Sequence, residues 1–123
     1  MKALVATGAL LTYPNYELLF HIETDASDYQ LGGAIVQNNR SLAYYSRKLN
    51  SAQLNYTTIE KEALSVVEIF HKFRSILLGN ECHVHTDHIN LTHSLSKFST
   101  QRVTHWRLLL EEFGPHWHYK KGR

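Results

Sequence analysis

Three carboxylates stand where short apolar segments would deliver them to one place: Asp25 in HIETDAS, Glu62 in TTIEKEALSVV and Asp87 in HVHTDH. Leu18, Leu19, Phe20, His21 and Ile22 lead to Asp25, and Cys82, His83, Val84 and His85 lead to Asp87, so both aspartates close strand-like runs. Glu62 is set differently. Ile59, Ala63, Val66, Val67 and Phe70 recur at intervals of three and four, the spacing of a helix with one buried face, and Glu62 lies beside that face. A helix laid across the edge that displays the two aspartates gathers three anions, which repel one another unless a cation sits between them. With oxygen donors alone, that cation is Mg²⁺ or Mn²⁺.

The elements that must position these groups are readable in order. Met1 to Leu11 is apolar and helix-compatible, and stops before the turn signal Tyr13, Pro14, Asn15. A first strand is expected over Glu17 to Thr24 and a second over Leu31 to Gln37, with Gly32 and Gly33 marking a close backbone approach or a bulge. Asn38, Asn39 and Arg40 supply a tight turn into a third strand, Ser41 to Arg47. Thr57 or Thr58 caps the long helix, whose first turns carry Glu60 and Glu62, and Gly79 ends it. A fourth strand reaches Asp87; a short helical stretch follows over Ile89 to Leu95. An amphipathic helix then spans about Gln101 to Phe113, is stopped by Gly114 and Pro115, and gives way to a last strand, His116 to Tyr119. This order predicts an α/β fold with a mixed five-stranded sheet, an antiparallel meander plus parallel strands, flanked by helices.

A chain of 123 residues with 43% hydrophobic content suits one domain with a real core. The net charge of +2 permits a polyanionic partner without requiring one. A single cysteine, Cys82, excludes an internal disulfide and suits a reducing compartment. No signal peptide or membrane-spanning run is evident, so an intracellular protein is expected, in cytoplasm or nucleus.

The stretches TDASDYQLGGAIVQ, LAYYSRKLNSAQLNYTTIEKEALSVV, KFRSILLG, VHTDHINLT and RVTHWRLLLEEF resemble the ribonuclease H domain of gypsy-class LTR retrotransposon reverse transcriptases. The likeness covers residues 17 to 121. It implies a ribonuclease H-like fold over residues 15–123, preceded in 1–14 by the tail of a segment connecting to the polymerase domain of a parent polyprotein. It implies hydrolysis of the RNA strand of RNA–DNA hybrids with two Mg²⁺ or Mn²⁺ ions, Asp25 being shared between them and Glu62 and Asp87 on the leaving-group side. Glu62 rather than Glu60 matches the catalytic glutamate, and Tyr119 matches a position near a mobile histidine of related enzymes. A fourth carboxylate of the family lies beyond YKKGR. Its absence here leads to the expectation that the isolated chain cleaves weakly or not at all. The alternative is an inactive truncated fragment that binds nucleic acid or has no selected role.

A hybrid is recognised by shape and 2′-hydroxyls rather than by sequence. Ser27 and Gln30, near the first carboxylate, are candidate contacts to sugars or phosphates; Arg47, Lys48, Lys72 and Arg74 are candidate phosphate contacts. Tyr44, Tyr45 and Tyr56 suit either stacking or the core, and Trp106 and Trp117 suit the core. His85 and His88, with His83 or His93, raise a competing zinc site. Alternation puts His83 and His85 on one strand face and His88 beyond its end, which favours a polar surface over a metal centre.

Overall fold

The computed structural model describes residues 7–86 and 101–119. Six strands form one sheet: β1 (Thr7–Leu10), β2 (Phe20–Ala26), β3 (Gln30–Gln37), β4 (Arg40–Lys48), β5 (Cys82–Thr86) and β6 (His116–Tyr119), in the order β1-β4-β3-β2-β5-β6. β2, β3 and β4 are the antiparallel meander, whereas β5 joins β2, and β6 joins β5, in parallel. All five expected strands are present. The sixth, β1, corrects the helix-compatible reading of the opening segment, because Thr7–Leu10 pairs antiparallel with β4 along Ser46 to Ala43. An apolar run this short carries no decisive period, and the open edge of β4 decides its conformation. The expected stretch Ile89 to Leu95, together with Asp87, His88 and His93, lies outside the described residues.

The β3–β4 hairpin turns through Asn38 and Asn39, both at positive φ (52° and 63°), as a two-residue turn matched to strand twist requires. A register shift between Ile35 and Val36 follows, and the neighbouring Leu42 and Ala43 of β4 are both buried, as a bulge allows.

α1 (Thr58–Lys72) begins at a reciprocal cap, in which Glu60 N donates to Thr57 Oγ1 at 3.2 Å and Thr57 N to Glu60 Oε1 at 2.9 Å. It stops earlier than expected. Phe73 leaves helical geometry (φ −110°, ψ 33°), a four-residue helix α2 (Arg74–Leu77) turns Leu77 into the core, and Gly79 (φ +86°) ends that turn instead. α3 (Gln101–Glu111) packs beside α1, with Phe70 and Phe113 rings 4.7 Å apart. Trp106 is buried against Tyr56, and Trp117 packs against the core. Among the described residues no helix is long and apolar enough to cross a membrane.

α1 lies across β2 and β3, and Gly33 lets it come close. A Cβ there would collide with Ile69 Cδ1 and sit 2.7 Å from the Glu23 carbonyl oxygen. The Ile69 side chain can turn away, but the β2 backbone cannot. Gly33→Ala is therefore expected to cost about 1–3 kcal/mol through overpacking, read from urea unfolding.

Cys82 is fully buried, and burial followed by the charge of Glu81 pushes its thiol up to about 11 from 9.0. The folded state thus favours the neutral thiol. Folding free energy should fall as pH rises from about 9 to about 11, because the unfolded thiol ionises first. A Cys82→Ala variant should lose that component of the pH profile.

Candidate active site

Helix α1 brings Glu62 to the sheet. Ile69, over Gly33, and Glu62 are seven residues apart, about two helical turns, so they share a stripe facing the strands. Thr24 is the cross-strand partner of Gly33, and its hydroxyl donates to Glu62 Oε2 at 3.1 Å. Glu62 is 3% exposed. Two further contacts pin the helix: Tyr45 donates to Glu68 Oε1 at 2.7 Å, and Arg47 lies 3.5 Å from the same oxygen. Burial, then the Glu68 hydrogen bond, raises the Tyr45 phenol well above its ordinary range.

Asp25 is the next residue after Thr24. Strand alternation turns it to the sheet face opposite α1, where it is exposed and registers with Gly32, which registers in turn with Ser46. Asp25, Ser27, Gln30 and Ser46 line an open cavity of about 370 Å³. Ser27 organises the turn between β2 and β3: its hydroxyl oxygen accepts from Gln30 N at 3.1 Å, and its backbone N–H donates to Gln30 O at 2.8 Å. Gln30 Nε2 donates to the Ser46 hydroxyl, which fixes the amide over the cavity. Lys48 is exposed and pairs with Gln30 across the strands.

The remaining sequence-predicted residues fall into separate environments. Arg47 is committed to Glu68 and, through a 2.7 Å hydrogen bond, to Gln53. Arg74 forms a two-pronged pair with Glu112 at 2.7 and 3.1 Å and lies 5.6 Å from the Phe113 ring centre, away from Asp25. Lys72 is exposed in the last turn of α1. Tyr119 is half exposed and pairs with Thr86 in the β5–β6 ladder. Asp87, directly after Thr86, lies outside the described residues. Tyr45 belongs to the core and Tyr44 to the surface.

Sequence reading missed Thr24 and Lys61. Lys61 is 7% exposed and donates to the Asp28 carbonyl at 3.1 Å, tying the first turn of α1 to the turn beside Asp25. A threonine before the strand's aspartate, and a lysine between two helix glutamates, were the available signals. Thr24→Val keeps the shape and removes the donor to a buried carboxylate. It should cost about 1–3 kcal/mol at neutral pH, and Glu62→Gln in the same background should recover part of that loss in denaturant melts.

Residues 15–113 match the family described as the RNase H-like domain found in reverse transcriptase. The Retrovirus-related Pol polyproteins from transposons 297 and opus of Drosophila melanogaster are 36% and 33% identical to this chain over its whole length, and that from transposon gypsy 30% over 98%. The chain spans 12%, 13% and 12% of those polyproteins. Two solved foamy viral protease-reverse transcriptases, one with double-stranded DNA and one with an RNA/DNA hybrid, share the fold, with TM-scores of 0.71 and 0.70 at 19% identity. The match takes in 90% and 88% of this chain and 22% and 16% of theirs. The chain belongs to the RNase H-like domains of reverse transcriptases, and its relatives are the Pol polyproteins of gypsy-class transposons.

Proposed function

We propose that this domain hydrolyses the RNA strand of RNA–DNA hybrids, endonucleolytically, as the nuclease part of a retrotransposon reverse transcriptase. The observation that supports the reading is that β2 supplies two consecutive polar residues near its end: Thr24, whose hydroxyl holds the buried Glu62, and Asp25, which opens onto a polar cavity on the other face of the sheet. The third carboxylate, Asp87, is supplied by the family resemblance. Asp87 is next in sequence to Thr86, the last residue of β5.

An all-oxygen donor set fits Mg²⁺ or Mn²⁺, and Asp25, Glu62 and Asp87 are the residues that would hold it. When bound, a pair of such ions supplies a nucleophilic water at neutral pH and stabilises the charge on the leaving 3′ oxygen. The chain's own residues do the rest. Thr24 keeps the Glu62 carboxylate oriented, and the Gly33 contact sets the height of the helix that carries it. Ser27 and Gln30 present a hydroxyl and an amide beside Asp25 for a sugar or phosphate, and exposed Lys48 and Lys72 offer charge to the backbone. Arg47 and Arg74, each paired with a glutamate, are further candidate phosphate contacts, and Tyr119 is the candidate for orienting water or aiding product release. The polymerase part of the polyprotein is the covalent partner, residues 1–14 are the end of the segment leading from it, and the site of action is intracellular.

Cleavage of an end-labelled hybrid in Mg²⁺ or Mn²⁺ tests this, on the 123-residue chain and on a form extended at both ends into the parent polyprotein. The rate should fall roughly 10²- to 10⁴-fold in Asp25→Asn, Glu62→Gln and Asp87→Asn. Hybrid affinity by fluorescence anisotropy should change little. Absence of cleavage in both wild-type forms, or full cleavage by Asp25→Asn, would overturn the reading.

A further inference from the structure

The sheet face opposite α1 carries a second cluster, well away in strand register from Asp25. His83 and His116 are direct partners in the parallel β5–β6 ladder, so their rings lie side by side, 4.7 Å between centres and 21° from parallel. Glu81, two residues before His83, brings one carboxylate oxygen to both. Oε2 of Glu81 is 2.8 Å from His83 Nε2 and 3.9 Å from His116 Nε2. The three ligand atoms lie within 4.8 Å of one another.

We propose that Glu81, His83 and His116 form a binding site for a zinc-class divalent cation, distinct from the carboxylate site. Ligands about 2.0 Å from a tetrahedral zinc lie about 3.3 Å apart, and the two separations from Glu81 bracket that value, so small side-chain rotations close the site. Two imidazoles and one carboxylate suit zinc and its neighbours rather than Mg²⁺, and three protein ligands leave a fourth position open. The outer contacts are also in place. His83 Nδ1 lies 2.7 Å from His118 Nε2, so a cation on Nε2 would put the ring proton on Nδ1 with His118 as its acceptor. His118 also lies beside His85, with ring centres 5.0 Å apart and planes 19° from parallel, which helps hold that acceptor in position. The exposed Glu81 and His116 admit an ion from solvent, and the half-buried His83 anchors it to the sheet.

The trio differs from the histidine group suggested by sequence proximity. His116 lies 33 residues beyond His83 and reaches it only through strand pairing, while Glu81 stands before the strand rather than in it. A cation there would clamp the outer strand β6 to β5.

The test is titration of the metal-free 123-residue chain with Zn²⁺ by calorimetry in excess Mg²⁺, with the visible absorption of bound Co²⁺ as a second readout. The expected result is one saturable zinc per chain, a four-coordinate Co²⁺ spectrum, and a rise in melting temperature with added zinc. Glu81→Gln and His116→Asn, both at exposed positions, should each weaken binding by more than about tenfold, and His118→Ala by about 10- to 100-fold. Asp25→Asn should leave it unchanged. Three results would each overturn the site: no saturable binding in Mg²⁺, affinity unchanged in both Glu81→Gln and His116→Asn, or loss of binding in Asp25→Asn, which would assign the zinc to the carboxylates. Circular dichroism on each variant separates lost binding from lost folding, and the His116→Asn and Glu81→Gln pair gives two independent readings.

Discussion

The close approach of α1 to the sheet at Gly33 is the constraint on which the rest of this domain depends. With no side chain there, Ile69 settles onto the strands, and the helix stripe that contains it sets Glu62 beside Thr24. The polar contacts act in the same direction. Glu68 receives both the Tyr45 hydroxyl and the Arg47 guanidinium, so the far end of the same helix is tied to β4. Packing sets the distance between layers, and the hydrogen bonds set the rotation of the helix about its axis. Neither would suffice alone, because apolar contact is non-directional and an isolated hydrogen bond contributes only about 0.5–1.5 kcal/mol.

The two faces of the sheet divide the chemistry. Beneath α1 the strands present Phe20, Ile22, Val84 and Thr86, all buried, and the carboxylate admitted to that layer arrives with a donor. The other face carries Asp25, Glu23 and five histidines from three neighbouring strands, His21, His83, His85, His116 and His118. His21 Nδ1 and His85 Nε2 lie 2.9 Å apart. Burial, followed by repulsion from His21 and His118, lowers the His85 imidazole below its ordinary value, so His85 is held in its neutral form more strongly than an isolated ring would be.

Much of this was legible in the sequence, for reasons that can be located. The Thr57 cap with Glu60 three residues on, the Asn38–Asn39 turn, and the apolar period that separates Glu62 from Glu60 are local signals carried by adjacent residues. The five strands and their order followed from such signals. What could not be read depends on partners distant in the chain. The strand character of Thr7–Leu10 comes from β4, the early end of α1 from the inward turn of Leu77, and the fate of Arg47 from Glu68 and Gln53. Periodicity tells which face a side chain takes, but the identity of the group opposite is decided by register. Glu62 was legible as a helix residue, while the hydroxyl that orients it was not.

The enclosed strands β3 and β4 are the longest in the described sheet, at eight and nine residues. A long strand with unpaired backbone is a template for a foreign one. The longest β-forming segments, which would be the most adhesive if left uncovered, are occupied on both sides by neighbours of their own chain. Resistance to intermolecular sheet growth is thus a by-product of strand order.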